Sequence, residues 1–139
     1  MKPILARCGY RCDLCPAYRE NIRGPEDQQR VSDGWFRYFG FRIPPEAIRC
    51  DGCRDARPRA RRIDAACPVR PCAIDRECDT CATCPEFGCA RLEQRTVTRA
   101  WVEQRLGAVI APADYRCFVR PYLGRPRLAR LRRQLAPPS

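Results

Sequence analysis

Apolar residues recur at helical spacing in one segment near the start of the chain. In "GPEDQQRVSDGWFRYFG", Val31, Trp35 and Phe39 are four residues apart, which places them on one face of a helix. Pro25 suits the first helical position, and Gly40 suits the position that ends a helix. The pattern therefore predicts an amphipathic helix from Pro25 to the residue before Gly40.

The second half of the chain predicts two more helical segments. The segment from about residue 85 to residue 106 carries charges of both signs and predicts a helix that is interrupted near Thr96. The tail "PRLARLRRQLAPPS" places Leu128, Leu131 and Leu135 on one side of a short basic helix. Between the cysteines, "PPEAIRCDGC" predicts one helical turn, and the polar, proline-containing "RDARPRARRID" predicts a loop.

Strong core-forming residues are scarce in this sequence. There are 8 Leu, 7 Ile, 6 Val and 5 Phe, which make 26 of 139 residues, beside 14 Pro and 8 Gly. A small domain of this composition is marginal if apolar burial is its only source of stability, so we expect cross-links. The 12 cysteines are the evident source. We therefore predict a small irregular α-rich domain of helices and loops, stapled through its cysteines.

The cysteine spacing is typical of metal ligands. A C-x2-C pair directs two sulfur atoms toward one metal ion, and two such pairs complete a tetrahedral site. The chain has three such pairs that share no cysteine: Cys12/Cys15, Cys50/Cys53 and Cys81/Cys84. Histidine is absent, which excludes Cys2His2 fingers, Rieske centres and His-ligated haem. A metal site here is therefore all-thiolate, or is completed by a carboxylate or a non-protein group, and soft thiolates select zinc or iron–sulfur clusters.

Zinc and an iron–sulfur cluster remain alternatives at this point. The run Cys78-x2-Cys81-x2-Cys84-x4-Cys89 differs from the ferredoxin run C-x2-C-x2-C-x3-C-P by one residue and by the place of the proline. We expect two or three Zn2+ ions, with [4Fe-4S] as the alternative. Disulfides are disfavoured because "MKPILARCGYRC" lacks the apolar run of a signal peptide, which predicts a cytoplasmic protein with reduced thiols. No segment approaches the roughly 20 apolar residues of a membrane span.

The ordered set of motifs resembles a known family. "CGYRCDLCPAY", then "CDGC", then "CPVRPCAIDREC" and "CATCPEFGCARL" are similar to the Cys-rich bacterial and archaeal proteins grouped as domain of unknown function 3795. The resemblance runs from Cys8 to Leu92 and implies no particular reaction. It implies metal ligation by ten cysteines at matching positions: Cys8, Cys12, Cys15, Cys50, Cys53, Cys67, Cys72, Cys81, Cys84 and Cys89.

Two cysteines have no place in that family pattern, Cys78 and Cys117, and we add Cys78 as a further candidate ligand. The candidate ligands are expected to divide between sites. One division puts Cys12, Cys15, Cys50 and Cys53 in a first site. It puts Cys67, Cys72, Cys81 and Cys84 in a second site. Cys8 and Cys89 would replace a ligand in one of these two sites or complete a third site.

The net charge of the chain indicates what kind of partner it could bind, rather than how it folds. The chain has a net charge of +11, nearly all of it from arginine, which suits an acidic partner. We predict a Cys-rich metal-binding domain at residues 1–95 and a helical, Arg-rich extension at residues 96–139, packed on it or partly mobile. The candidate nucleic-acid residues are Arg127, Arg130, Arg132 and Arg133, for which a solvated face is the other interpretation.

The function predicted from the sequence is a non-enzymatic module with structural zinc sites that binds a protein or nucleic-acid partner. An iron–sulfur protein for electron transfer or redox sensing is the alternative. A metal or thiolate enzyme is the least supported, because the chain has no histidine and no evident pair of acidic residues near the ligands.

Overall fold

A computed structural model of the chain describes residues 1–137. About half of these residues are helical, and the pairing of extended chain among them is limited to two isolated bridges, Leu5 with Arg11 and Tyr18 with Cys50. The α-helices are α1 (Pro25–Phe39), α2 (Val69–Asp75), α3 (Ala90–Glu93), α4 (Arg99–Leu106), α5 (Pro112–Phe118) and α6 (Gly124–Leu135). Short 3-10 turns lie at Cys12–Leu14, Arg19–Asn21, Pro45–Ala47, Cys81–Thr83 and Arg120–Tyr122. The predicted α-rich fold class is confirmed.

Helix α1 has the bounds that the sequence predicts. Gly40 ends it with φ of 85°, and its N–H donates to the carbonyl oxygens at the end of the helix. Val31 and Trp35 are buried on the predicted face. Gly34 lies in the helix interior because a Cβ there would overlap the ring of Phe118 in α5. The glycine that weakens the helix thus permits α1 and α5 to approach each other closely.

The predicted helix between residues 85 and 106 is two shorter helices. The chain from Pro85 to Gly88 forms turns, α3 has only four residues, and α4 begins at Arg99. The predicted break near Thr96 is confirmed, and the predicted start is wrong. The hydroxyl of Thr98 accepts a hydrogen bond from Trp101 N–H and so caps α4. The sequence analysis did not predict α2 or α5.

Two apolar cores are shared between the N-terminal and C-terminal parts of the chain. The first packs α1 against α4, α5 and the turn that follows it; its buried members include Trp35, Val102 and Tyr122. The second joins the N-terminal loop to α2, α3 and α6, with Leu128 fully buried. Each core therefore draws on both sides of the boundary that we predicted at residue 95.

Helix α6 packs against the rest of the protein along its first two turns. Leu128 is fully buried and Leu131 partly so, as the periodicity predicts, whereas Leu135 is 58% exposed. Pro138 and Ser139, at the end of the predicted Arg-rich extension, lie outside the described residues. None of the helices in residues 1–137 has both the length and the apolar character that crossing a bilayer requires.

Candidate functional site

A cavity of about 450 Å³ lies between the N-terminal loop, α1 and the loop that precedes α2. Aromatic side chains form part of its wall, among them Tyr10, Trp35, Phe39 and Tyr122. Half of the cysteines of the chain also line it. We call these six the first thiol group: Cys8, Cys12, Cys15, Cys50, Cys53 and Cys67.

Backbone pairing brings two C-x2-C segments of the first thiol group side by side. Cys50 N–H donates to Ala17 O at 2.8 Å, and Arg19 N–H donates to Cys50 O at 2.8 Å. Gly52, with φ of +91°, turns the second segment tightly, and a Cβ at this position would lie 3.7 Å from Cys12 Cβ. Residues 12–15 and 50–53, remote in sequence, therefore meet at one wall of the cavity.

A second, much smaller cavity of about 20 Å³ lies between α2, α3 and the turn at Cys81–Thr83. Its lining includes five cysteines, which we call the second thiol group: Cys72, Cys78, Cys81, Cys84 and Cys89. Two arginines approach this group, with Arg76 Nη1 3.7 Å from Cys84 Sγ and Arg91 Nη1 3.9 Å from Cys72 Sγ. These guanidinium groups place positive charge beside sulfur atoms that would carry negative charge as thiolates.

Arg7 connects the two thiol groups. It lines the large cavity next to Cys8, and its carbonyl oxygen accepts a hydrogen bond from Cys81 N–H at 2.9 Å. Its guanidinium donates to Cys78 O at 3.0 Å. Arg7 is therefore one of the residues that hold the two groups to each other, together with Arg54, which donates to Asp79 O, and Arg70, which donates to Cys53 O.

Burial keeps four thiols of the two groups protonated at neutral pH when no metal is bound. It raises the pKa of Cys8 to about 11 and the pKa of Cys12 and of Cys81 to about 12. Burial also raises the pKa of Cys15 to about 11, and the hydrogen bond with Tyr122 opposes this shift. All twelve cysteines are free thiols.

Positive charge surrounds the large cavity. Five arginines line it, against one carboxylate, Asp64, which pairs with one of them; the five are Arg7, Arg11, Arg62, Arg70 and Arg95. Arg62 and Arg70 donate to the backbone carbonyl oxygens of Asp55 and Cys53. The surroundings therefore favour a negatively charged occupant, such as thiolates bound to metal.

The cysteine sulfur atoms are not already arranged around a single metal ion. Among residues 1–137, no three or more cysteine, aspartate or glutamate side chains form a group that could hold a metal ion as they are placed. A tetrahedral zinc site has four Zn–S bonds of about 2.3 Å, so its sulfur atoms lie in mutual contact. Zinc binding would thus require the sulfur atoms of either group to move closer together.

The structure keeps the first predicted set of ligands together and separates Cys67 from the second predicted set. Cys12, Cys15, Cys50 and Cys53 line one cavity together, and Cys8 and Cys67 line it with them. Cys89 and Cys78 line the small cavity beside Cys72, Cys81 and Cys84. Cys117, in α5, lines neither of the two cavities.

Two of the four arginines proposed for nucleic acid make contacts within the protein. Arg127 donates to the carbonyl oxygens of Gly9 and Pro121 at 3.2 and 3.0 Å, and burial lowers its pKa. Arg132 donates to Ala82 O and Cys84 O at 3.0 and 2.7 Å and so holds the turn of the second thiol group. The side chains of the other two, Arg130 and Arg133, are exposed.

Sequence reasoning missed Tyr122, the side chain with the shortest hydrogen bond to a cysteine sulfur of the first thiol group. Its hydroxyl lies 3.1 Å from Cys15 Sγ although 107 residues separate the two. No local motif marks this tyrosine. The shared position of Cys15 and Tyr122 arises from the packing of the turn at Arg120–Tyr122 against the turn at Cys12–Leu14.

Comparison with known proteins identifies a family and no function. No curated protein and no solved structure matches the chain. The family described as "Protein of unknown function (DUF3795)" matches residues 4–94, which cover both thiol groups. This match spans more than half of the chain and agrees with the resemblance carried by the cysteine motifs. The chain therefore belongs to this family of Cys-rich proteins.

Proposed function

We propose that the protein binds metal through its two thiol groups. The observation that carries the proposal is that eleven of the twelve cysteines line one or the other of two cavities. Buried cysteines that only fill space need no such clustering. The all-thiolate donor sets suit zinc or iron–sulfur clusters.

A single Zn2+ ion is the better candidate for the second thiol group. The cavity of about 20 Å³ has the size of one ion or water molecule, and five sulfur atoms offer more than the four donors that tetrahedral zinc takes. Arg76 and Arg91 would offset part of the negative charge of the bound thiolates. Zinc at this position would fix α2, α3 and the turn at Cys81–Thr83 to one another.

An iron–sulfur cluster is the second candidate, for the first thiol group. A cavity of about 450 Å³ is far larger than one ion, and in a cluster the inorganic atoms hold the cysteine sulfurs apart. Six thiols exceed the four that a [4Fe-4S] cluster needs, and the surrounding arginines suit an anionic centre. Such a cluster would supply one-electron transfer. Zinc at Cys12, Cys15, Cys50 and Cys53 is the competing assignment.

The metal would act mainly as a structural staple in a non-enzymatic module for a protein or nucleic-acid partner. Structural zinc contributes on the order of 10 kcal/mol to the folding of small domains, comparable to the whole stability of a typical domain. Thiolate ligation also requires reduced cysteines, so we place the protein in the cytoplasm.

Metal and sulfide analysis of protein purified without oxygen tests the proposal. We expect at least one equivalent of zinc or iron, and a cluster would add acid-labile sulfide and a brown colour with absorbance near about 400 nm. Cys12→Ser and Cys72→Ser should each weaken metal binding most strongly in their own group, because a spare thiol can replace a single lost ligand. Cys117→Ser is the matched control and should retain all metal. Substoichiometric zinc and iron in the wild-type protein, or equal metal loss in Cys117→Ser, would overturn the proposal.

A further inference from the structure

The loop that joins Cys53 to Cys67 forms one side of the large cavity and connects two thiols of the first thiol group. Its last part, residues 62–66, has no regular secondary structure, and we call it the cover segment. Ile63 and Asp64 of this segment line the cavity, and Asp64 is also exposed to solvent. The cover segment is therefore a single layer of chain between the cavity and the solvent.

The chain is fixed on both sides of the cover segment. Before it, Arg54 pairs with Asp79 at 2.8 Å. Asp51 N–H donates to Arg61 O at 2.7 Å, and Arg61 N–H donates to a carboxylate oxygen of Asp51 at 2.8 Å. After it, the chain enters α2 at Val69, which is buried in the second core. The cover segment can therefore move about two fixed ends while the rest of the loop stays in place.

One ion pair joins the cover segment to the rest of the protein. Asp64 pairs with Arg95, and their side chains are 42% and 21% exposed. Within residues 1–137, the other hydrogen bonds of the cover segment stay inside the loop between Cys53 and Cys67. Arg95 is held from its other side, because its guanidinium lies 4.8 Å from the centroid of the Tyr10 ring and its carbonyl oxygen accepts from the Tyr10 hydroxyl at 2.7 Å. The pair is therefore the main polar restraint on the cover segment.

The observed position of the cover segment leaves buried polar atoms unpaired. Arg62 Nε and Arg95 Nε are buried and have no hydrogen-bond acceptor among residues 1–137. A buried donor without an acceptor costs free energy, and a partly exposed ion pair recovers little of that cost. Movement of the segment into solvent would expose these two nitrogen atoms to water and so offset the loss of the ion pair. We therefore expect the closed and open positions to differ little in free energy.

We propose that the cover segment is a lid, which opens over the first thiol group when Asp64 separates from Arg95. Two fixed ends, one partly exposed ion pair and unpaired buried donors distinguish this segment from a loop that is held by packing. Local opening of this kind controls the access of small molecules to the groups underneath. The entry of metal beneath the lid rests on the proposed function, whereas the opening itself does not, so the two can fail separately.

Alkylation of Cys8 measures the opening, because this thiol lines the cavity and is only 6% exposed. The full chain, as purified without oxygen and again after treatment with a chelator, is exposed to N-ethylmaleimide, and mass spectrometry follows each labelled cysteine over time. Asp64→Asn should accelerate the labelling of Cys8 by up to about fivefold, which corresponds to the loss of one exposed ion pair. Ile63→Ala should accelerate it as well, because Ile63 packs against the first core and its removal changes no charge near the thiol.

The controls separate opening of the lid from a general loosening of the fold. Asp33→Asn is the matched variant, because it breaks an exposed pair with Arg42, and neither residue lines a cavity. Cys84, which is 9% exposed in the second thiol group, is the internal reference in every variant.

Three results would overturn the inference: unchanged labelling of Cys8 in Asp64→Asn and Ile63→Ala, an equal effect of Asp33→Asn, or an acceleration at Cys84 as large as that at Cys8. A protein that is purified without metal and still shows the expected difference in labelling would support the lid and contradict the proposed function.

Discussion

The hydroxyl of Tyr122 lies between the sulfur of Cys15 and the indole nitrogen of Trp35, at 3.1 and 3.2 Å. An indole N–H can only donate, so the tyrosine oxygen accepts from Trp35. Either Tyr122 or the Cys15 thiol can donate in the other contact, but toward a metal-bound thiolate only the tyrosine hydroxyl can donate. Burial raises the pKa of Tyr122 well above its usual value, so the hydroxyl keeps this proton. Because a hydrogen bond to a metal-bound thiolate alters its donor strength, Tyr122 would tune any metal held by Cys15.

Tyr122→Phe should therefore weaken the protein in two measurable ways. Loss of the hydroxyl leaves the buried Trp35 N–H without an acceptor, which should lower the free energy of unfolding in urea by about 1–3 kcal/mol. It should also change the affinity of Cys15-bound metal, or the reduction potential if that metal is a cluster. Tyr115→Phe is the control, because Tyr115 is half-buried and should change either quantity little. If the metal affinity and the reduction potential of Tyr122→Phe are both unchanged, Tyr122 has no role in the metal site.

The stability of the metal-free protein should fall as the pH is raised. The pKa values of Cys8 and Cys12 are about 11 and 12 in the folded state, against 9.0 for an ordinary thiol. Between these limits the unfolded chain loses protons that the folded chain retains, so alkaline pH favours unfolding. Urea midpoints at pH 7, 8, 9 and 10, with reductant and chelator present, measure the effect. A constant midpoint from pH 8 to pH 10 would contradict the assigned burial of these thiols.

Gly34→Ala should destabilise the protein, the reverse of the usual effect in a helix. Alanine normally stabilises a helix interior by about 1 kcal/mol relative to glycine. At position 34 the added Cβ would overlap Phe118, and overpacking of this kind costs about 1–3 kcal/mol. Thermal unfolding measures the change. Gly24→Ala is the control, since no atom of another residue lies within 4 Å of a Cβ placed there. A more stable Gly34→Ala would show that α1 and α5 are not in close contact.

Arg132→Gln should loosen the second thiol group. Its guanidinium donates to Ala82 O and Cys84 O, and hydrogen bonds from a charged donor contribute about 1.5–3 kcal/mol. We expect faster hydrogen exchange in residues 81–84 and weaker metal binding at that group, with a smaller change in metal binding at the first thiol group. The exposed neighbour Arg133 supplies the control as Arg133→Gln. If the two variants show identical hydrogen exchange in residues 81–84, Arg132 does not stabilise the second thiol group.

Removal of metal should lower stability without abolishing secondary structure. The two apolar cores would retain the packing of α1 and α6, while the loops that carry the cysteines would lose their restraint. Treating the metal-loaded protein with a strong chelator under reducing conditions, and following unfolding by circular dichroism, measures the loss. We expect it to be smaller than the roughly 10 kcal/mol of small zinc domains that are unfolded without metal, because the two apolar cores remain packed. An unchanged melting temperature after complete metal removal would contradict a stapling role.

Local sequence signals predicted the parts of the fold that local interactions determine. Helix α1 was predictable because its first proline, its apolar face and Gly40 act within one segment. Helix α2 was not, because "VRPCAID" contains a proline and offers only Val69 and Ala73 as buried positions over seven residues. Its helical form depends on packing in the second core and on the cysteine loops around it.

The same distinction between local and tertiary signals applies to the candidate site. The cysteine spacing indicated which residues would cluster, since a C-x2-C pair is a local feature. Spacing could not indicate that Cys67 belongs with residues 8–53 rather than with its sequence neighbour Cys72, because that depends on the path of the intervening loop. The contact of Cys15 with Tyr122 is a tertiary feature of the same kind.

The link through Arg7 means that the two thiol groups do not respond independently. Negative charge on Cys8 raises the pKa of Cys81, second only to burial, so the groups also interact electrostatically. An occupant that pulls Cys8 inward would shift the backbone to which Cys81 is hydrogen-bonded. If metal fills one group as proposed, the affinity of the other group should therefore change, and by reciprocity the effect should be the same in both directions.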